Sequence, residues 1–270
     1  MTANIGRGGT TSRRRRGGSR WKSIVVPLAA AACVLLLGAL LSSLSLVLGA
    51  PVMKAAIIDQ LNLTYASPEF IQHETAILKQ AGYAADYYPP QRGNIEFYRR
   101  LPTLGYQIII LRVHTPRLKE ANGELGDEVA LVTSDIYRPD KPVDKKLAPY
   151  LVKVLSLNEW PATKQLYGIT DGFVRDQMEG NFQGATIILT GCSGLRSDKL
   201  AKSFVSKGAG AVIGWDADVA PAFTDSATEL LLQHLLIDKI PTREAVSRAA
   251  EKAGVDPYYG GRLVSYPPGR

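Results

Sequence analysis

The sequence predicts an α/β fold built on a mostly parallel sheet, and three stretches carry that expectation. Residues 106–113, 185–189 and 209–215 are apolar runs rich in β-branched side chains, the pattern of strands covered on both faces. Between the last two, Leu200, Phe204 and Val205 recur at helical spacing, which makes a strand–helix–strand unit with a right-handed crossover. The carboxyl ends of such parallel strands share one edge of the sheet, and in open α/β sheets ligands collect there.

In chain order, residues 54–59 form a short apolar strand, followed by a loop over 59–67 that carries the glycosylation sequon Asn62-Leu63-Thr64. Ser67-Pro68-Glu69 opens a helix with a cap, a proline in the first turn and an acid near the positive end of the dipole. Phe70, Ile71, Ala76, Ile77, Leu78 and Ala81 supply its apolar face, and Gly82 closes it. A strand over 83–88 ends at Pro89-Pro90, and a helix over 94–104 precedes the strand that ends at His114. Residues 116–183 depart from the alternation: strand-like runs at 129–136 and 150–157 read as an antiparallel excursion, and a short helix is expected at 170–178. A helix from 195 to 207 with Ser197 as cap, a helix over 225–236, another from 241 to 252 and an edge strand at 263–266 complete the chain.

The formal net charge of +7 points at first to nucleic acid, but its source is local. Residues 1–23 hold Arg7, Arg13, Arg14, Arg15, Arg16, Arg20 and Lys22 and no acid, which leaves 25 basic against 25 acidic residues elsewhere. No nucleic-acid partner is expected from a neutral domain. Residues 24–50 carry no charge, and 28–48 alone would span roughly 30 Å as a helix. The expected organisation is a basic cytoplasmic tail (1–23), a transmembrane anchor (24–50) and an outward-facing α/β domain (51–270) in the cell membrane. A cleaved signal peptide ending near Leu48-Gly49-Ala50 is the rival, and the length of the apolar run favours the anchor over a signal core of about 7–15 residues.

The two cysteines, Cys33 in the membrane run and Cys192 in the domain, do not make a disulfide framework. Cys192 follows the strand at 185–189 as His114 follows the strand at 106–113, so both stand at the same sheet edge. A thiol beside an imidazole is the arrangement of a cysteine nucleophile; the bland alternative is a buried structural thiol. The other histidines, His73 and His234, sit on helices at no ligand spacing, so no metal site is expected. Gly191-Cys192-Ser193-Gly194 is not a G-x-S-x-G elbow, and the glycines of 208–214 make no phosphate cradle, so no cofactor is expected either. Asp216 and Asp218 end the strand at 209–215, and Asp216 is the speculative candidate for binding a basic substrate side chain.

The strand ending in His114, the Gly191-Cys192-Ser193-Gly194 turn and the Lys207-Gly208-Ala209-Gly210-Ala211-Val212-Ile213-Gly214-Trp215 stretch resemble the caspase-like cysteine peptidases, the gingipain type above all. The resemblance is strongest over 106–114 and 184–216. It implies a six-stranded, mostly parallel sheet with helices on both faces, and a His114–Cys192 dyad that cleaves a peptide or protein substrate through an acyl-enzyme. It further implies an oxyanion held by the backbone N–H groups of Thr115 and Cys192. The family places glycine after the histidine; Thr115, followed by Pro116, stands there in this chain. The alternative expectation is an inactive caspase-like domain that binds peptides or partner proteins at the membrane surface.

Overall fold

The computed structural model describes residues 52–155 and 165–267. The expected basic tail (1–23) and transmembrane anchor (24–50) lie outside the described residues, as do 156–157 of the second strand expected in the excursion. Among the described residues no helix is long and apolar enough to cross a membrane.

Six strands form the main sheet: β1 (Met53–Asp59), β2 (Tyr83–Tyr88), β3 (Ile108–Arg112), β9 (Thr186–Leu189), β10 (Ala211–Trp215) and β11 (Leu263–Tyr266), in the order β11-β10-β9-β3-β1-β2. All neighbours are parallel except β10 and β11. The chain steps from β1 outward to β2, then returns to place β3 on the other flank of β1. That reversal opens a crevice beyond the carboxyl ends of β1 and β3.

Alternate residues of each central strand feed two cores. Ile109, Leu111, Ile187 and Leu189 pack with Tyr98 of α2 (Ile95–Arg100), Phe173 and Val174 of α3 (Asp171–Gln177), and Leu200 and Phe204 of α4 (Lys199–Ser206). Ile57, Ile110, Ile188 and Ile213 pack on the opposite face with α1 (Pro68–Gln80), α5 (Pro221–Leu232) and α6 (Thr242–Ala253). Covering both faces is what makes β1, β3, β9 and β10 nearly continuous apolar runs, each large side chain contributing about 1.5–3 kcal/mol by burial. The edge strand β2 exposes Ala84, Asp86 and Tyr87 instead.

Ser67 caps α1 as its sequence implies, its hydroxyl accepting from the Phe70 N–H. Helix α4 starts later than expected: Asp198, not Ser197, precedes it, and no side chain caps it. Helix α5 begins at Pro221, four residues before the expected start, because a proline is accommodated in the first turn, and it passes into a π-helical turn at Gln233–Ile237.

The excursion contains more than two strands. A hairpin of β4 (Arg117–Lys119) and β5 (Leu125–Val129) leads to an antiparallel sheet of β6 (Leu131–Ile136), β8 (Gln165–Ile169) and β7 (Leu151–Leu155), in the order β6-β8-β7. Gly168 is required at its centre, since a Cβ there would sit 2.9 Å from side-chain atoms of both Ala130 and Val154.

Glu74 of α1 is fully buried, and neither carboxyl oxygen has a hydrogen-bond partner. Burial, reinforced by Glu229 and Asp225, pushes its pKa up to about 9, so the folded protein holds the acid neutral. An unfolded Glu releases its proton near pH 4.3, so stability falls as pH rises between that value and about 9, by about 1.4 kcal/mol per pKa unit of difference. Glu74→Leu is therefore expected to raise the melting temperature at pH 8 and to change it little at pH 5, read by thermal denaturation at both values.

Candidate functional site

The site is built by register. Leu111 of β3 pairs with Leu189 of β9, and His114 and Cys192 each lie three residues beyond these partners. Neighbouring strands are about 4.8 Å apart, so the two chain ends emerge side by side. Gly191 makes the close approach possible, because a Cβ on it would collide with the Val113 carbonyl and crowd Thr115 Oγ1 at 2.6 Å. The Thr115 hydroxyl donates a hydrogen bond to the Cys192 carbonyl, which fixes the peptide plane that follows the thiol. On the other side Ser193 is held at φ +54°, its N–H donating to Ala217 O (2.8 Å) and its hydroxyl to Asp218 Oδ1 (2.6 Å). A non-glycine residue in the left-handed region is a strained position that its surroundings must impose. The amide N–H of Thr115 has no hydrogen-bond acceptor among the described residues, and that of Cys192 meets no acceptor there but its own sulfur.

His114 is set by the loop between β1 and α1. Its backbone N–H donates to Gln60 Oε1 (3.2 Å), its Nε2 lies 3.0 Å from Thr64 Oγ1, and its ring meets Tyr65 edge-on with centroids 6.3 Å apart. That loop is in turn tied to β3 by Arg112, two residues before the histidine. The fully buried guanidinium donates through Nη1 to Asp59 Oδ1 (2.8 Å), through Nε and Nη2 to both oxygens of Asp225 (2.8 and 2.9 Å), and through Nη2 to Tyr65 O (2.9 Å). The ring of Phe70 lies 5.0 Å away, beneath the same charge. Arg112 thus joins the end of β1, the His114 loop and α5 on one planar fork.

Burial lowers the His114 pKa from its ordinary value, and the Arg112 charge lowers it further. The Cys192 thiol moves the opposite way, raised by burial and by the carboxylates of Asp218 and Asp256, while the backbone amides of Val219 and of Cys192 itself partly oppose the shift; Sγ also donates to Val219 O (3.4 Å). Both effects favour the neutral pair. No hydrogen bond joins Sγ to the imidazole among the described residues. Both side chains nevertheless line one cleft of about 360 Å³, with Gln60, Thr115 and Asp218 from the sheet edge and Val132, Val154 and Leu166 from the inserted sheet.

Asp216 stands apart from this cleft. Its Oδ1 accepts from the Arg262 N–H (2.7 Å), which anchors β11, and Asp218 is the acid that lines the cleft. His73 and His234 bond Glu229 and Asp238 at the surface. No group of residues suited to a metal ion occurs among the described residues. The residues that sequence reasoning missed are Gln60, Thr64, Arg112 and Asp225; the one available signal was Arg112, a charge inside an otherwise apolar strand. No protein-family model matches the chain, and no match is found among curated proteins.

Removing the guanidinium would leave Asp59 buried without its partner. Arg112→Leu is expected to cost about 3–5 kcal/mol, a fall of roughly 10 °C in melting temperature for a domain of this size. Arg112→Lys should also destabilise, because an ammonium cannot bridge both carboxylates and the Tyr65 carbonyl in one plane.

Proposed function

We propose that the protein is a membrane-anchored, outward-facing cysteine peptidase with a caspase-like domain. Cys192 is its nucleophile and His114 its proton carrier. The observation that carries this reading is the matched register of β3 and β9, which brings thiol and imidazole to one cleft beside the amide N–H groups of Thr115 and Cys192, neither of which bonds another described residue.

The chemistry follows from those groups. The sulfur attacks the substrate carbonyl carbon while the thiol proton passes to the imidazole, and the oxyanion accepts from the N–H groups of Thr115 and Cys192. As the tetrahedral species collapses, the C–N bond breaks and the imidazolium protonates the departing amine. Water then attacks the thioester, gives its proton to the imidazole, and the acid product leaves as the thiol is restored.

Thr64 supports the tautomer this requires. Its hydroxyl donates to Leu61 O (3.2 Å), so Oγ1 accepts from His114 Nε2–H, and the Nδ1 lone pair is left for the thiol proton. Thr115 is compatible with the resemblance because its side chain turns toward the Cys192 carbonyl and its N–H stays unengaged. A second reading, a non-catalytic peptide-binding domain, draws support from the Sγ–Val219 hydrogen bond and from the lack of one to the imidazole.

The full-length protein treated with peptidyl acyloxymethyl ketones should form a thioether at Cys192, identified by peptide mass spectrometry. His114→Ala should slow the reaction about 100-fold or more, the scale of general acid–base catalysis. Reversible peptide binding with no adduct would favour the second reading. Thr64→Val should lower kcat about tenfold and Thr64→Ser should restore it.

The active form carries a neutral imidazole and a protonated thiol. Activity should therefore fade on the acid side below the ordinary imidazole pKa of about 6.5, and on the alkaline side above the ordinary thiol value of about 8.5. A kcat/KM profile against pH checks both limbs.

A further inference from the structure

We infer that the cleft selects an apolar substrate side chain, and that the Gln60 carboxamide holds a peptide carbonyl beside it. This rests on the peptidase reading only for which carbonyl is held. Gln60 is 2 % exposed and lines the cleft. Its orientation is set by the backbone N–H of His114, which needs an acceptor and takes Oε1, so the amide NH2 lies on the other side. No described residue accepts from that NH2. A buried side chain with one half engaged and two donors unused at a cleft wall is suited to a ligand acceptor, and a peptide carbonyl is the acceptor every peptide carries.

The opposite wall determines what accompanies that carbonyl. Val132 of β6, Leu166 of β8 and Val154 of β7 form an aliphatic surface, and Leu125, 54 % exposed, overhangs the mouth from the hairpin. Arg117 at the rim is already engaged, and Asp218 only through one oxygen. Arg117 donates to Leu125 O and Gly126 O and pairs with Asp127, and Asp218 accepts from Ser193. A charged side chain laid on that wall would lose water without gaining a counter-ion from the wall itself, whereas an aliphatic or aromatic one gains burial. The volume, near the lower end of the usual ~300–1,000 Å³ for ligand pockets, suits one side chain with its carbonyl.

The test is binding without turnover. Full-length Cys192→Ala protein is titrated by calorimetry with capped tripeptide amides that differ only in the last residue: Leu, Phe, Lys or Asp. Leu and Phe peptides should bind at least tenfold more tightly than Lys and Asp peptides. Val154→Asn should erase that preference. Gln60→Glu, which keeps the acceptor for His114 N–H and lacks the donor, should weaken all four about tenfold and leave their ranking unchanged, with Gln60→Met as the uncharged control. Equal binding of the four, a preference for Lys carried by Asp218, or unchanged affinity in both Gln60 variants would overturn the inference. Because the readout needs no chemistry at Cys192, selective binding without any adduct in the wild-type protein would retain this inference and remove the peptidase reading.

Discussion

A guanidinium sealed from water at the end of β3 holds the candidate site together. Arg112 cannot give up its charge, so the fold must supply acceptors around it: Asp59 at the end of β1, Asp225 on α5 and the carbonyl of Tyr65. Burying such a group does little for net stability, since desolvation offsets most of the attraction, but it tolerates only one geometry. That geometry carries the consequence for chemistry. Fixing Tyr65 fixes Thr64, and Thr64 bonds the imidazole two residues beyond the arginine itself. Structure and site thus depend on the same planar fork.

The thiol side is held by different means. Gly191 lets β9 approach β3, the Thr115 hydroxyl grips the Cys192 carbonyl, and Asp218 with Ala217 keeps Ser193 in the left-handed region. Burial then acts on both reacting groups in the same sense, against charge, raising the thiol and lowering the imidazole. A resting pair of this kind stores no thiolate. On the peptidase reading its proton moves only as the carbonyl is attacked.

The parts of the fold legible in the sequence were those whose composition reflects their surroundings. Strands β1, β3, β9 and β10 are covered on both faces and read as apolar runs, and the positions of His114 and Cys192 followed from where those runs stop. The hairpin β4–β5 was not legible because LGDEV exposes three of its five residues and imitates a loop. Strand β8 carries Gly168, a residue that argues against a strand until the packing of Ala130 and Val154 on it is known. The distinction between Asp216 and Asp218 depends on which neighbours each finds, Arg262 or Ser193, and Arg112 meets Asp225 across 113 residues of chain. Such pairings arise from tertiary contacts, and local pattern carries no trace of them.

The central claim is that the imidazole of His114 acts on the thiol of Cys192. It is tested most directly by the rate of iodoacetamide alkylation at Cys192 across pH, followed by mass spectrometry in the full-length protein and in His114→Ala. The account predicts faster labelling near neutral pH in the wild-type protein than in the variant, with a wild-type thiol midpoint above the ordinary value of about 8.5. Identical rates and identical pH profiles in the two proteins would contradict it.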